Sequence, residues 1–245
     1  MTKQTVLIAI AACLAGFIGG FMFANSLNRS ELAAKTLQVQ QPAQAPAGDA
    51  PAGPPVLTAD EIKSKLEAAD KNPSDLAFQK SLGLSLYRYA SVRQDANLLP
   101  ETIRIMQRAL DLDPADRDLQ IGLGNAHFDV GYFKKDNASF ERARGFYNKA
   151  LERVPADVGV RTDLALTYFL QEPPDLDKAV EEFETALKSD PKHERSLQFL
   201  VQTHAKRNDT ARANETLERL KAANPSSPAI PELADIIAGA AAIAR

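Results

Sequence analysis

Three histidines and one cysteine are the residues of this chain best suited to hold a metal or move a proton. Their positions argue against both roles. His127, His193 and His204 have no cysteine or carboxylate at the spacing that a zinc site requires. Cys13 is the single cysteine and lies in an apolar N-terminal stretch, so there is neither a disulfide framework nor a paired thiolate site. No glycine-rich phosphate loop, nucleophile elbow or His-Glu-x-x-His pair occurs. The acidic residues from Asp175 to Glu184 alternate with Lys178 at helical spacing and read as a solvated helix face. The expectation is a protein that binds and does not catalyse, with no cofactor and no metal.

Charge narrows what it binds. The net charge is −3, and residues 1–56 hold Lys3, Arg29 and Lys35 against Glu31 and Asp49, so the remainder carries the acidic excess. No basic stripe is large enough to follow a phosphate backbone, which excludes nucleic acid as the expected partner.

The chemistry that remains is recognition, and three segments must position it. From Thr5 to Ala24 the chain carries no charge, and twenty residues at 1.5 Å each span a hydrocarbon core about 30 Å thick. A single transmembrane anchor over residues 1–24 is therefore expected, with the N-terminus cytoplasmic because only four residues precede the apolar run. Two processing alternatives stand beside it. Ile10-Ala11-Ala12-Cys13 resembles a lipoprotein cleavage box, although Leu14 to Ala24 stays apolar. Phe23-Ala24-Asn25-Ser26 offers a loose signal-cleavage site. Ala12, Gly16 and Gly20 recur every fourth residue, spacing that lets two membrane helices approach and would support a homodimer. Residues 25–56, with Pro42, Pro46, Pro51, Pro54 and Pro55 among Ala, Gln and Gly, read as an extended tether.

Beyond it, Thr58-Ala59-Asp60-Glu61 has the form of a helix-starting capping box, and Pro73 closes that helix. A recurrent ending follows. Ala109-Leu110 precedes Pro114, Ala150-Leu151 precedes Pro155, Ala186-Leu187 precedes Pro191, and Leu220 precedes Pro225. Upstream stand Leu82-Gly83, Leu123-Gly124, Leu164-Ala165 and Leu200-Val201, where a small second residue lets a partner helix come close.

These residues resemble tetratricopeptide repeats, whose pattern is a Leu-Gly pair, an aromatic, then Ala, aromatic, Ala and Pro along the second helix. The third repeat matches through Leu164, Ala165, Tyr168, Ala179, Phe183, Ala186 and Pro191. The second matches through Leu123, Gly124, Ala143, Tyr147, Ala150 and Pro155, with His127 at the aromatic place. The resemblance covers residues 76–227 and implies an all-α solenoid of about four hairpins. The repeat domain would occupy residues 57–227 with an N-terminal cap helix, and residues 228–245 would form a C-terminal cap. The closing prolines lie 41, 36 and 34 residues apart against a family period of about 34. An extra turn on each helix of the first two hairpins would absorb the surplus.

In this family the first helix of each repeat lines the binding groove, which makes Tyr87, Phe128 and Phe169 equivalent rungs. Lys80, Arg88, Ile121, Asn125, Asp129, Leu166, Gln198 and Gln202 fall near them, with Thr162 and Lys206 on the same surface. Such a face suits a protein or peptide partner. With the anchor and tether in front of it, such a repeat domain is expected to be a scaffold in the bacterial inner membrane, its repeats on the periplasmic side, assisting assembly of an envelope complex. The layout is also similar to repeat proteins of the cytochrome c maturation machinery. A chaperone co-receptor with a carboxylate clamp is a further alternative, since Lys80 and Asn125 occupy two clamp positions. Leu84, Gly159 and Asp163 depart from that clamp.

Overall fold

A computed structural model describes residues 57–243, which form ten helices and no strand and fall into two compact units, residues 57–113 and 114–243. The anchor over residues 5–24, its proposed helix–helix contact and the tether lie outside the described residues. Among the described residues no helix is long and apolar enough to cross a membrane.

The first unit contains α1 (Ala59–Lys71), α2 (Leu76–Arg93) and α3 (Leu99–Leu112). α1 starts where the sequence signals it. The Thr58 hydroxyl accepts from the Glu61 backbone N–H, and the Glu61 carboxylate accepts from the Thr58 N–H, which together satisfy two free amides of the first turn. Both Arg104 and Arg108 of α3 reach Asp70 at the end of α1, and those hydrogen bonds hold the Asp70 carboxyl below the usual carboxylate range. Buried Gln79 ties the α1–α2 turn by donating to the carbonyls of Ala69 and Asn72.

The second unit holds α4 (Arg117–Lys134), α5 (Asn137–Arg153), α6 (Val158–Leu170), α7 (Leu176–Ser189), α8 (Glu194–Lys206), α9 (Thr210–Ala223) and α10 (Ile230–Ile243). They pair as hairpins α4/α5, α6/α7 and α8/α9. The first helices also touch in succession, α4 with α6 and α6 with α8. A side chain is set at nearly every helix start. Asp116, Asp136, Asp157, Asp175 and Asp209 each accept a backbone N–H of the first turn, as Asp75 does for α2. In the loops opened by Pro73, Pro114 and Pro155 the capping Asp is the second residue after the proline, so one short motif ends a helix and starts the next. After Pro191 the same place holds His193, whose Nδ1 accepts from the Ser196 N–H at 3.4 Å, a longer and weaker cap.

The surplus residues of the first two repeats are distributed differently. In the second repeat both helices are long, 18 residues in α4 and 17 in α5, against 13 or 14 in α6 to α9. In the first repeat only α2 is extended, to 18 residues, while α3 has 14. The remainder forms a loop between Arg93 and Leu99. There Gln94 ends α2 in the left-handed region at φ 53°, and buried Leu98 and Leu99 plug the hairpin. Pro100 explains why α3 cannot start earlier. Lacking an N–H, it is tolerated only in a helix's first turn.

Inside each hairpin, close approach depends on the small residue of the Leu-Gly pair. A Cβ placed on Gly124 would sit 2.6 Å from Cε1 of Tyr147. The Tyr147 ring cannot give way, since it is fully buried and its hydroxyl donates to Asn125 Oδ1 at 2.8 Å. Gly124→Val should therefore destabilise the protein by about 1–3 kcal/mol or more through overpacking. Gly145 of α5 has nothing within 4 Å of the same construction, and Gly145→Ala should stabilise by about 0.5–1 kcal/mol. Urea midpoints of the two variants moving in opposite directions would check both.

The last element closes the stack. α10 packs on both α8 and α9 and buries Leu233, Ile236, Ile237 and Ala240. Its apolar stripe is thus used within the unit to cover the final hairpin, as an end repeat requires.

Candidate partner-binding face

Eight of the eleven residues expected to bind a partner lie on the first helices of the second unit. α4 carries Ile121, Asn125, Phe128 and Asp129, α6 carries Leu166 and Phe169, and α8 carries Gln198 and Gln202. Within each helix their spacing of three or four residues keeps them on one side. Lys80, Tyr87 and Arg88 lie on α2 of the first unit, where Arg88 is exposed, Lys80 half-buried and Tyr87 buried.

The aromatic rungs are not open platforms. Phe128 has no exposed surface and stands edge-on to Phe140 of its own hairpin at 5.7 Å between ring centres. Phe169 is buried against Phe199 at 5.8 Å, also edge-on. Phe199 in turn stacks on Phe183 at 6.2 Å, so the third and fourth repeats share an aromatic joint.

Polar groups are concentrated on the same helices. Thr162 Oγ1 and Ser196 Oγ lie 2.7 Å apart, and Ser196 Oγ is 2.8 Å from His193 Nδ1. Asp163 of α6 pairs with Arg195 of α8 at 2.6 Å, both side chains nearly buried. Arg161 pairs with Glu182 at 2.8 Å, and Arg117 of α4 binds the Asp157 carboxylate and the Ala150 carbonyl. Gln198 donates to Glu194 and Ser227. On α8 the Lys206 ammonium lies 5.1 Å over the Phe169 ring. Loss of water there pushes its pKa down, with Glu172 acting in the opposite sense. The ion pairs between helices were not among the expected site residues, although Arg117–Asp157 and Asp163–Arg195 each join positions about one repeat apart.

A second cluster sits around Tyr168, where Arg144 lies 4.6 Å and Lys178 5.4 Å from the ring centre. Near it Asn137 clamps the α6–α7 loop by donating to the Glu172 carbonyl and accepting from the Glu172 N–H. The recess lined by Gly131, Tyr132, Asn137, Phe140, Leu170 and Glu172 has a volume of about 140 Å³. Ligand pockets run to about 300–1,000 Å³, so this recess does not match one.

No group of three metal-ligating side chains occurs among the described residues. His127 is stacked on Phe146 at 5.6 Å, and burial lowers its pKa to about 4, with Arg142 adding to the shift. It is neutral at pH 7. In the unfolded chain its pKa returns to about 6.5, so between about pH 6.5 and 4 the unfolded state binds more protons. Stability from this residue is present above that window and falls as pH falls through it. His127→Gln should flatten the decline of stability between pH 7 and 4, read from urea midpoints across that range.

Residues 174–234, from the end of the α6–α7 loop into α10, match the tetratricopeptide-repeat family model. The chain has the tetratricopeptide-repeat fold. Solved structures agree. A crystal structure of MamA shares 17% identity and a TM-score of 0.54, over 67% of this chain and 87% of that one. MamA from residue 41 onward, from Desulfovibrio magneticus RS-1, gives 16% and 0.54 over 69% and 86%. The C-terminal part of a TPR repeat-containing protein from Cytophaga hutchinsonii gives 17% and 0.54 over 71% and 65%. At these identities the likeness is one of fold. No curated protein matches the chain by sequence. The tetratricopeptide-repeat arrangement accounts for the alternation of Leu-Gly helices and Ala-rich helices.

Proposed function

We propose that this chain is a membrane-anchored tetratricopeptide-repeat scaffold that docks a protein or peptide on the first-helix face of its repeats and assists assembly of an envelope complex. The observation that carries the docking reading is the concentration of polar and ionisable side chains on α4, α6 and α8, on the same side of each helix. Asn125, Asp129, Asp163, Gln198 and Gln202 are buried polar side chains there, with Arg195 half-buried against Asp163, at positions that a repeat stack would otherwise fill with apolar packing. The apolar, uncharged stretch 5–24 supports the anchor, and the Pro/Ala-rich stretch 25–56 supports a tether that holds the repeats away from the bilayer. Small residues four apart in the anchor suit a homodimer.

Photocrosslinking in the native membrane tests the docking. A photoreactive residue at Ile121 or Gln198 should capture a discrete partner, whereas one at exposed Lys149 of α5 or Lys188 of α7 should not. Equal capture from both sets of positions would refute the assignment of the face. Removal of residues 1–56 should release a helical protein into the soluble fraction; a truncated chain still integral to the membrane would refute the anchor.

A further inference from the structure

Three large apolar side chains are exposed among the described residues, and Phe133 is the only aromatic of the three, with 43% of its surface open. It stands in the last turn of α4, where its ring meets that of half-buried Tyr132 edge-on at 5.6 Å. Lys134 ends the helix and Lys135 follows it, both exposed and neither with an ion-pair partner for its ammonium among the described residues. The carboxylate of the next residue, Asp136, is engaged by Ser139 and Arg142. The other two exposed apolar side chains have different company. Leu112 lies between Asp111 and Asp113, and Val154 lies at the far end of α5 beside Pro155. Two features set the α4/α5 turn apart within its unit. α4 and α6 begin at equivalent places after Pro114 and Pro155, yet α4 runs 18 residues against 13, which carries its end about 7 Å further. Lys135 also closes α4 in the left-handed region at φ 52°, a conformation that glycine adopts freely and a lysine adopts at a cost. The dipole of α4 accounts for a cation in its last turn. It does not account for an aromatic ring left in water beside that cation.

We propose that the turn end of the α4/α5 hairpin rests on a bilayer surface bearing anionic headgroups, with the Phe133 ring entering the interface and the Lys134 and Lys135 ammoniums pairing with headgroup phosphates. The chemistry of the three side chains fits one depth. The ring gains by leaving water at the headgroup boundary, and the lysine stems are long enough to keep their ammoniums at phosphate level while the ring sits deeper. In a chain of net charge −3 the overall field does not draw the protein to such a surface, so the attraction has to be local. Each lysine close to an anionic leaflet contributes about a fivefold gain in binding. Two lysines and one ring would hold a free protein poorly. The proposed tether changes this, since residues 25–56 reach at most about 110 Å even fully extended and the docking of a tethered domain is intramolecular. For that nearness the inference rests on the membrane-anchored reading, and it uses none of the residues assigned to the partner-binding face.

The chain contains no Trp, so Phe133→Trp gives a full-length protein whose indole emission reports this site alone. It is reconstituted in vesicles of phosphatidylcholine, or of equal parts phosphatidylcholine and phosphatidylglycerol, each with and without brominated acyl chains that quench an indole inside the bilayer. With phosphatidylglycerol the emission should move to shorter wavelength and be quenched by the bromines. In phosphatidylcholine alone it should keep the wavelength of a water-exposed indole and stay unquenched. Lys134→Gln together with Lys135→Gln should lower the docked-to-free ratio about 25-fold and return the emission to that of an exposed indole. Gln is a side chain that this fold already holds at positive φ, at Gln94. Val154→Trp, about 25 Å away along α5, should stay in water in both vesicles. An indole at position 133 that phosphatidylglycerol vesicles leave unquenched overturns the proposal, as does quenching that survives both lysine substitutions or is equal in phosphatidylcholine alone. Equal quenching of the Val154→Trp protein overturns it too, since the unit would then meet lipid with no preference for this turn. Extraction at alkaline pH reads the anchor separately. A chain that resists extraction without quenching keeps the anchor and loses the lipid contact of the turn, and a chain that is extracted yet quenched loses the anchor and keeps that contact. A chain that fails both loses both.

Discussion

Replacing Phe128 by Ala should lower the stability of the 114–243 unit by about 3–5 kcal/mol, the cost of truncating a buried aromatic. The ring has no exposed surface and meets Phe140 edge-on at 5.7 Å, an arrangement that adds about 0.5–1.5 kcal/mol beyond the area it buries. By its repeat position alone Phe128 is equally a groove rung, and a groove anchor behaves differently. Its loss would leave the unfolding midpoint in place and weaken partner binding by roughly 2 kcal/mol or more. Urea unfolding followed by far-UV circular dichroism separates the two, combined with photocrosslinking of the partner from Ile121 by the folded fraction. An unmoved midpoint with lost crosslinking would restore Phe128 to the docking face.

The difference between the two roles shows what was legible in the sequence. Repetition identified the hairpins because Pro73, Pro114, Pro155 and Pro191 each follow a helix and bring a capping residue two places later, so local chemistry and period agree. It identified the tight contacts too, since only a small residue at Gly124 admits the Tyr147 ring. The first hairpin was less legible. Its surplus matches that of the second hairpin in length, but Pro100 and the Leu98-Leu99 plug turn half of it into loop. Residue types alone do not show which of two equal insertions stays helical.

The face was legible in position and not in depth. Equivalent positions located Asn125, Leu166 and Gln202 on the same side of successive first helices, yet their burial depends on neighbours that repeat alignment ignores. The interhelical pairs illustrate the point. Thr162 and Ser196 are 34 residues apart, Arg117 and Asp157 are 40, and Arg219 and Glu184 are 35. Each pair joins complementary residues one repeat apart. Alignment by repeat brings out residues that are alike, whereas a search one period away for residues that are opposite would have found these contacts.

Phe183→Ala should have the second large effect, about 3–5 kcal/mol, and its distribution along the chain is the more informative part. Phe183 is fully buried on α7, stacks on Phe199 of α8, and Phe199 carries the Phe169 ring at its other contact. Truncation leaves a cavity where the third repeat meets the fourth. Repeat arrays are stabilised by each repeat and by each interface with its neighbour, so loss at one joint weakens coupling across it and not throughout. Native-state hydrogen exchange should accordingly show α8, α9 and α10 losing protection at a lower free energy than α4 and α5, which keep Tyr147, Phe140 and Phe128. α10 cannot compensate. It covers α8 and α9 and so opens with them. A uniform loss of protection from α4 to α10 would mean that the unit unfolds as one block despite its repeats. Gly124→Val acts inside the second hairpin instead and should shift the first losses of protection to α4 and α5. Two substitutions in different parts of the unit would then produce opposite orders of opening, which a single cooperative block cannot do.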